Sequence, residues 1–187
     1  MGDQRQLRLR SALERCIQGE SSYFAEIVQE HQAMVFSIAL HYLADPSLAE
    51  DLAQEVFVEL YQRIKGIQSA DHLTYWLRRV AVNRSIDYGR KKKRRGEAPL
   101  EDSPEPAAVH NATDELLIGR LRESLATLEE RQRMMVILRY QEDLGPAEIA
   151  SLMNIPVNTV KSTLHRTLEE LRKKLTRKLG EVRYALF

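Results

Sequence analysis

Asn158, Lys161, Ser162, His165 and Arg166, followed by Glu169 and Arg172, recur at three- and four-residue steps. In a helix they share one face. Donors and small polar groups so arranged suit the edges of base pairs in a DNA major groove. A second group is Tyr75, Arg78, Arg79, Asn83, Arg84 and Arg90, which runs into the unbroken basic stretch Arg90-Lys91-Lys92-Lys93-Arg94-Arg95. Arginine, asparagine and an aromatic together fit a phosphate backbone with unstacked bases. Tyr75 is the stacking candidate, whereas Trp76 reads as core. The third group is opposite in character. Asp51, Gln54, Glu55 and Val58 fall on one helical face with no basic residue in the row, which is either a solvated acidic face or a surface that a protein partner could grip.

Catalysis finds little support. There is no Gly-rich phosphate loop, no nucleophile elbow and no metal-ligand cluster, and His31, His41, His72, His110 and His165 are scattered. Cys16 is the lone cysteine, which excludes an internal disulfide and reads as a small apolar residue on a helix. No cofactor and no enzymatic activity are expected.

The elements that position these residues follow a period of 3.6, with no convincing strand, so the fold class is all-α. Leu9, Leu13 and Ile17 make a short stripe, and Phe24, Ile27, Val28, Met34, Val35, Ile38 and Tyr42 a longer one, broken at Asp45-Pro46. Ser47-Leu48-Ala49-Glu50 has capping-box spacing and opens a helix with Leu48, Leu52, Val56, Leu60 and Ile64 inward. After a loop over Gly66 to Asp71, a helix from about His72 is expected to bury Leu73, Trp76, Leu77 and Val80. Further on, Leu116 to Leu128 and Met134 to Tyr140 read as amphipathic helices. Pro146 to Met153 is a short helix with proline in its first turn, and Asn154-Ile155-Pro156-Val157 is a tight turn. A longer basic helix follows from Asn158, with Val160, Leu164, Leu168, Leu171 and Leu175 inward. Short helix, turn and long basic helix is helix-turn-helix spacing.

The formal net charge of +1 over 187 residues conceals segregation. Between the two basic surfaces, from Gly96 to Glu115, every charged residue is acidic, and Pro99, Pro104 and Pro106 are half of the chain's six prolines. That stretch reads as a linker, 96–114, between domains at 1–95 and 115–187. Its acidity suits a basic channel, or nothing in particular. No stretch reaches the roughly 20 apolar residues of a membrane helix, and the N-terminus lacks a signal peptide's apolar run. A cytoplasmic location without membrane insertion is expected.

On these residues the chain resembles the sigma-70 family of RNA polymerase sigma factors, in its extracytoplasmic-function group. Ala49-Glu50-Asp51-Leu52-Ala53-Gln54-Glu55-Val56-Phe57 is similar to the region 2 helix that docks on the clamp of the polymerase largest subunit. The resemblance implies that Asp51, Gln54, Glu55 and Val58 contact the core enzyme. The segment from Trp76 to Arg84, continuing through Asp87 into the basic run, resembles the one that melts and reads the minus-ten element. This implies minus-ten roles for Tyr75, Arg78, Arg79, Asn83, Arg84, Arg90 and Lys91, with the loop Lys65 to Asp71 flanking a pocket for a flipped base. Glu148-Ile149-Ala150, Thr159-Val160-Lys161-Ser162 and Arg166 resemble region 4. Asn158, Thr159, Lys161, Ser162, His165 and Arg166 are then implied readers of the minus-thirty-five element. The implied partners are core polymerase, through the clamp and through the flap of the second-largest subunit, promoter DNA, and an anti-sigma factor. The linker matches the segment threaded through the RNA exit channel. Glu129 stands where the family usually has proline, Leu73 replaces a common aromatic, and Thr163 and Thr167 stand where arginine and alanine are usual.

Three other functions predict features that can be looked for. A decoy that only titrates an anti-sigma protein would not need basic residues on both DNA-type faces. A stand-alone helix-turn-helix repressor would need a dimerisation element, and none is visible. A nuclease would need a carboxylate cluster for metal.

Overall fold

In the computed structural model the chain divides into two compact units, Met1–Leu100 and Glu101–Phe187. The structure describes residues 2–94, 119, 121 and 123–185. The expected linker over 96–114 and the start of the expected helix Leu116 to Leu128 lie outside them. Among the described residues the regular elements are all helical, and no helix is long and apolar enough to cross a membrane.

The first unit is built from α1 (Gly2–Ile17), α2 (Phe24–Leu43), α3 (Pro46–Arg63) and α4 (Ala70–Arg94), with short 3-10 turns at Ser21–Tyr23 and Ile64–Gly66. α1 ends where Gly19 takes φ +102, in the left-handed region that glycine enters without a Cβ penalty. α2 packs against α1, α3 and α4. The core is Leu13 of α1, Ile27, Val35, Ile38 and Tyr42 of α2, Leu52, Val56 and Leu60 of α3, and Leu73, Leu77 and Ala81 of α4. Cys16 is buried, and burial pushes its thiol pKa up.

Two residues, Ala44 and Asp45, join α2 to α3. Ala44 adopts φ 54, and its N–H closes the last turn of α2 on Leu40 O at 2.8 Å. Asp45 is extended and buried, and its Oδ1 accepts from Leu48 N–H at 3.1 Å. The expected Ser47/Glu50 capping box is therefore corrected: Asp45 is the cap and Pro46 the first helical residue. Proline at that position loses no helical hydrogen bond and arrives with its φ already set, so the helix begins one residue before Ser47. The C-terminal end of α4 returns to this corner, where Lys92 Nζ lies 3.7 Å from Asp45 Oδ2. At Gly89 an added Cβ would come within 2.8 Å of Tyr42 Cε1, so glycine is what lets α4 approach α2 there.

α4 starts at Ala70, two residues before the expected His72, because Ser69 caps it, with Oγ accepting from His72 N–H at 3.1 Å. Trp76 and Val80 are half-buried rather than core, and Ala81, Val82, Ser85 and Ile86 are buried. α4 packs against α1, α2 and α3, and its buried positions step through Leu73, Leu77, Ala81 and Ser85 with Val82 and Ile86 beside them, which leaves Trp76 and Val80 on the flank of the inward face.

In the second unit, residues 123–126 are helical, followed by α5 (Glu130–Tyr140), α6 (Pro146–Met153) and α7 (Val157–Ala185). α5 buries five consecutive residues, Met134 to Leu138. Although Glu129 stands in place of the usual proline, its N–H is taken by Gln132 Oε1 at 3.2 Å, and the helix starts cleanly. α6 ends at Asn154 with φ 53, a left-handed position that asparagine tolerates better than most residues. Pro156 O then accepts from Thr159 and Val160 N–H, so α7 starts at Val157, one residue earlier than expected. Its inward stripe also needs correction. Val160, Leu164 and Leu171 are buried, but Leu168 is 38% exposed and Thr167 is 1% exposed. Strict four-residue steps drift about 40° per step around a helix of 3.6 residues per turn, and the three-residue step from Leu164 to Thr167 brings the stripe back.

Candidate nucleic-acid and partner-docking surfaces

α3 presents Asp51, Gln54 and Val58 to solvent, Val58 at 57% exposure, with Glu55 half-buried behind them. Gln54 and Val58 border two grooves. On one side Val28, Ala33 and Phe36 of α2 and Ala53 and Phe57 of α3 make a mainly apolar groove. On the other, Asp51, Glu55, Glu59, Gln62 and Arg63 face Arg84 and Tyr88 of α4.

That second groove holds a hydrogen-bonded cluster. Arg84 Nη1 donates to Glu55 Oε2 at 2.5 Å, and its Nη2 and Nε donate to Glu59 Oε2 at 2.7 and 3.2 Å. Tyr88 Oη donates to Glu55 Oε1 at 2.6 Å. Arg63 adds an ion pair to Glu59 at 3.4 Å. The hydrogen bond to Glu59 raises the Arg84 pKa, and the one to Glu55 raises that of Tyr88. The acidic row thus has basic neighbours after all, brought from α4 and from the next turn of α3.

The minus-ten candidates on α4 divide into two sets. Arg79, Asn83 and Arg90 are exposed, with Tyr75 half-buried in line with them, and this stripe continues to Asp87 and Arg94. Asp87 and Arg90 pair at 3.7 Å. Arg84 instead turns to α3. Arg78 is half-buried with a shielded Nε, close enough to His31 of α2 for its charge to disfavour the imidazolium. Lys91 is exposed, with Nζ 5.9 Å above the Tyr88 ring, whereas Lys92 is committed to Asp45. Before α4, the loop is tied by Gln68 N–H donating to His72 Nδ1 at 3.1 Å, while Lys65, Gly66 and Ser69 stay exposed.

On α7, all six expected readers, Asn158, Thr159, Lys161, Ser162, His165 and Arg166, are exposed in its first turns. Ser162 Oγ donates to Thr159 O at 3.2 Å, and His165 Nε2 lies 3.6 Å from Glu169 Oε1. Arg172, Lys173 and Arg177 continue the exposed basic surface along the helix. Lys174 instead reaches back to Thr127 Oγ1 at 2.8 Å and to Glu170.

Sequence reasoning missed Glu59, Tyr88 and Thr167. For the first two a signal existed: Glu55 and Glu59 are one turn apart on α3, and Arg84 and Tyr88 one turn apart on α4. Two acceptors face two donors at matching spacing. Among the described residues, no group of three or more His, Cys, Asp or Glu is placed to hold a metal ion.

Residues 27–95 match the model of sigma-70 region 2, and residues 118–171 that of sigma-70 region 4. The RNA polymerase sigma-E factor of Streptomyces avermitilis is 35% identical, over 84% of this chain and 87% of its own length. The extracytoplasmic-function sigma factor SigW of Bacillus subtilis is 28% identical, over 91% and 98% respectively. Among solved structures, CnrH, determined with the cytosolic domain of CnrY, superposes with a TM-score of 0.64 at 18% identity, covering 93% of this chain and 98% of that one. The sigma factor RpoE of Bartonella quintana, determined with the anti-sigma factor NepR, gives 0.62 at 20% identity, covering 82% and 96%.

Proposed function

The chain belongs to the sigma-70 family, in its extracytoplasmic-function group, and from that premise we propose which of its surfaces does what. As a sigma factor it binds core RNA polymerase and directs promoter-specific initiation at minus-ten and minus-thirty-five elements. We assign the acidic α3 row of Asp51, Gln54, Glu55 and Val58 to the core enzyme. Tyr75, Arg79, Asn83, Arg90 and Lys91 on α4 take the minus-ten element, with Arg78 a lesser contact because it is half-buried. The early turns of α7 take the minus-thirty-five element. One observation carries this assignment: the faces differ in chemistry, acid on α3 and exposed donors on α4 and α7. A basic protein surface suits the first, and nucleic acid the other two.

The apolar groove beside Val58, together with Tyr61 at 52% exposure, gives a second protein partner something to cover. Since a relative of the same fold was solved with an anti-sigma factor, we infer that this chain is held by one as well. The same reading makes it a binding subunit without catalysis of its own, acting in the cytoplasm with the polymerase. Transcription by purified core polymerase on a random promoter library, with and without the protein, tests the assignment. Wild-type protein should select one two-part element. Substitutions on α7 should alter selection of its upstream part only, and those on the α4 stripe its downstream part only. An α7 substitution that changed the downstream part would break the assignment.

A further inference from the structure

Arg84 sits in the segment that resembles the minus-ten reader, yet its guanidinium is engaged elsewhere. Three of its five N–H donors go to Glu55 and Glu59 of α3. A phosphate approaching the two remaining donors would meet those two carboxylates, and like charges at that range repel. Glu55 is placed differently. One of its oxygens is held by Arg84 and the other by Tyr88, while its side chain is still 43% exposed, beside Asp51 and Gln54. It is fixed from α4 and still open to a partner.

Resting on the reading that Glu55 faces core polymerase, we propose that Arg84, with Tyr88, is a positioning residue for polymerase docking and not a promoter contact. An unrestrained glutamate samples many rotamers and must be ordered when a partner binds, whereas one held at both oxygens has been ordered by folding. The pairing also ties α3 to α4 by charge-assisted bonds, which are stronger than neutral ones.

The test uses the full chain and purified core polymerase. Affinity is measured for the wild type, for Arg84→Ala, Tyr88→Phe and Glu55→Gln, and for each of the first two combined with Glu55→Gln. The salt slope of holoenzyme binding to a single-stranded minus-ten element is measured alongside. We expect Arg84→Ala and Tyr88→Phe each to weaken core binding by up to about tenfold. Neither should add to the loss caused by Glu55→Gln, and the salt slope should not move. Losses that persist in full beside Glu55→Gln would show that the pair acts otherwise than through Glu55, and would overturn the proposal. A salt slope lower by about 0.7 in Arg84→Ala would do the same, since it marks a lost phosphate contact. Arg84→Ala also leaves the face more acidic, so unchanged or tighter core binding would mean that net charge governs docking, again overturning it. Should Arg84→Ala fail to fold by circular dichroism, the Tyr88→Phe cycle decides alone. If Asp51→Arg weakens core binding while Glu55→Gln does not, docking on α3 stands and only this proposal falls. If neither does, the docking reading fails and takes this proposal with it.

Discussion

Arg166 and Lys91 carry the same charge in different settings, and the settings predict different phenotypes. Arg166 is exposed in the third turn of α7, among the side chains of its polar outward face. A good direct base contact there is worth about 1–3 kcal/mol of discrimination. Lys91 is an exposed member of a run of like cations, which suits phosphates. Arg166→Ala should therefore reorder a panel of promoters that differ in the upstream element. Lys91→Ala should weaken all of them about equally and lower the salt slope by about 0.7 on single strands or 0.9 on duplex. Binding of holoenzyme to the panel at several salt concentrations measures both, and a uniform loss with Arg166→Ala would make it a backbone contact. His31 gives a pH-dependent prediction. It is 6% exposed and its Nε2 has no hydrogen-bond partner among the described residues; burial chiefly lowers its pKa from the ordinary 6.5, Glu30 opposes, and Arg5 and Arg78 lower it further. Above pH 6.5 the imidazole is neutral in both folded and unfolded chains, and its contribution to stability is complete. As pH falls below 6.5 the unfolded chain takes up a proton that the folded one resists, so stability is lost until the folded pKa is reached. Urea unfolding at pH 7.5 and 5.5, followed by the single tryptophan, Trp76, should show a smaller loss on acidification for His31→Leu than for wild type. Equal losses would mean that other groups carry the acid sensitivity.

At the scale of elements, the corner between α2 and α3 matters most, because it sets where the acidic row begins. Asp45 caps α3 through Leu48 and also meets Lys92 from the far end of α4. Asp45→Ala should lower the stability of the first unit by about 0.5–2 kcal/mol, the usual range of a lost cap. Lys92→Ala should cost less, and Ser47→Ala should stay within about 0.5 kcal/mol, as surface changes do. Chemical unfolding monitored by Trp76 ranks the three. Ser47→Ala as the most damaging would restore the capping box that the spacing suggested. This corner also shows what the sequence could and could not tell. The helices, their order and the helix-turn-helix were legible because each rests on local periodicity and turn residues. Serine and aspartate are both good caps, however, and only the closeness of Pro46 to the helix start decides between them. Thr167 was passed over for Leu168 because hydropathy favours leucine, whereas the helical phase, fixed by packing in the second unit, favours position 167. Arg84 reads as a DNA-type residue in sequence because Arg79, Asn83 and Arg90 around it share that chemistry. Its partners lie 25 and 29 residues away on another helix, and nothing local reports such a distance.

For the whole molecule, a net charge of +1 is the sum of surfaces of opposite sign, and this segregation gives the docking prediction its form. If α3 meets a basic surface of the polymerase, reversing one exposed charge there should abolish attraction without disturbing the fold. Asp51 is the suitable position: it is exposed, and surface substitutions of its kind usually change stability by less than about 0.5 kcal/mol. Glu55 is less suitable, although it lies on the same face. Glu55→Arg would place a second guanidinium against Arg84 and remove the acceptor of Tyr88, so it should lower stability and docking together. Asp51→Arg should cut core affinity by tenfold or more, as about 1.4 kcal/mol of lost and reversed attraction would, with an unchanged unfolding midpoint. Its defect should shrink at high salt, because the repulsion it introduces is screened within a Debye length of about 8 Å at physiological ionic strength. Core pull-down across a salt series, beside unfolding of the free chain, separates the two variants. Full core binding by Asp51→Arg at low salt, where repulsion is strongest, together with full binding by Glu55→Gln, would remove α3 as the docking helix and leave the acidic row a solvated face.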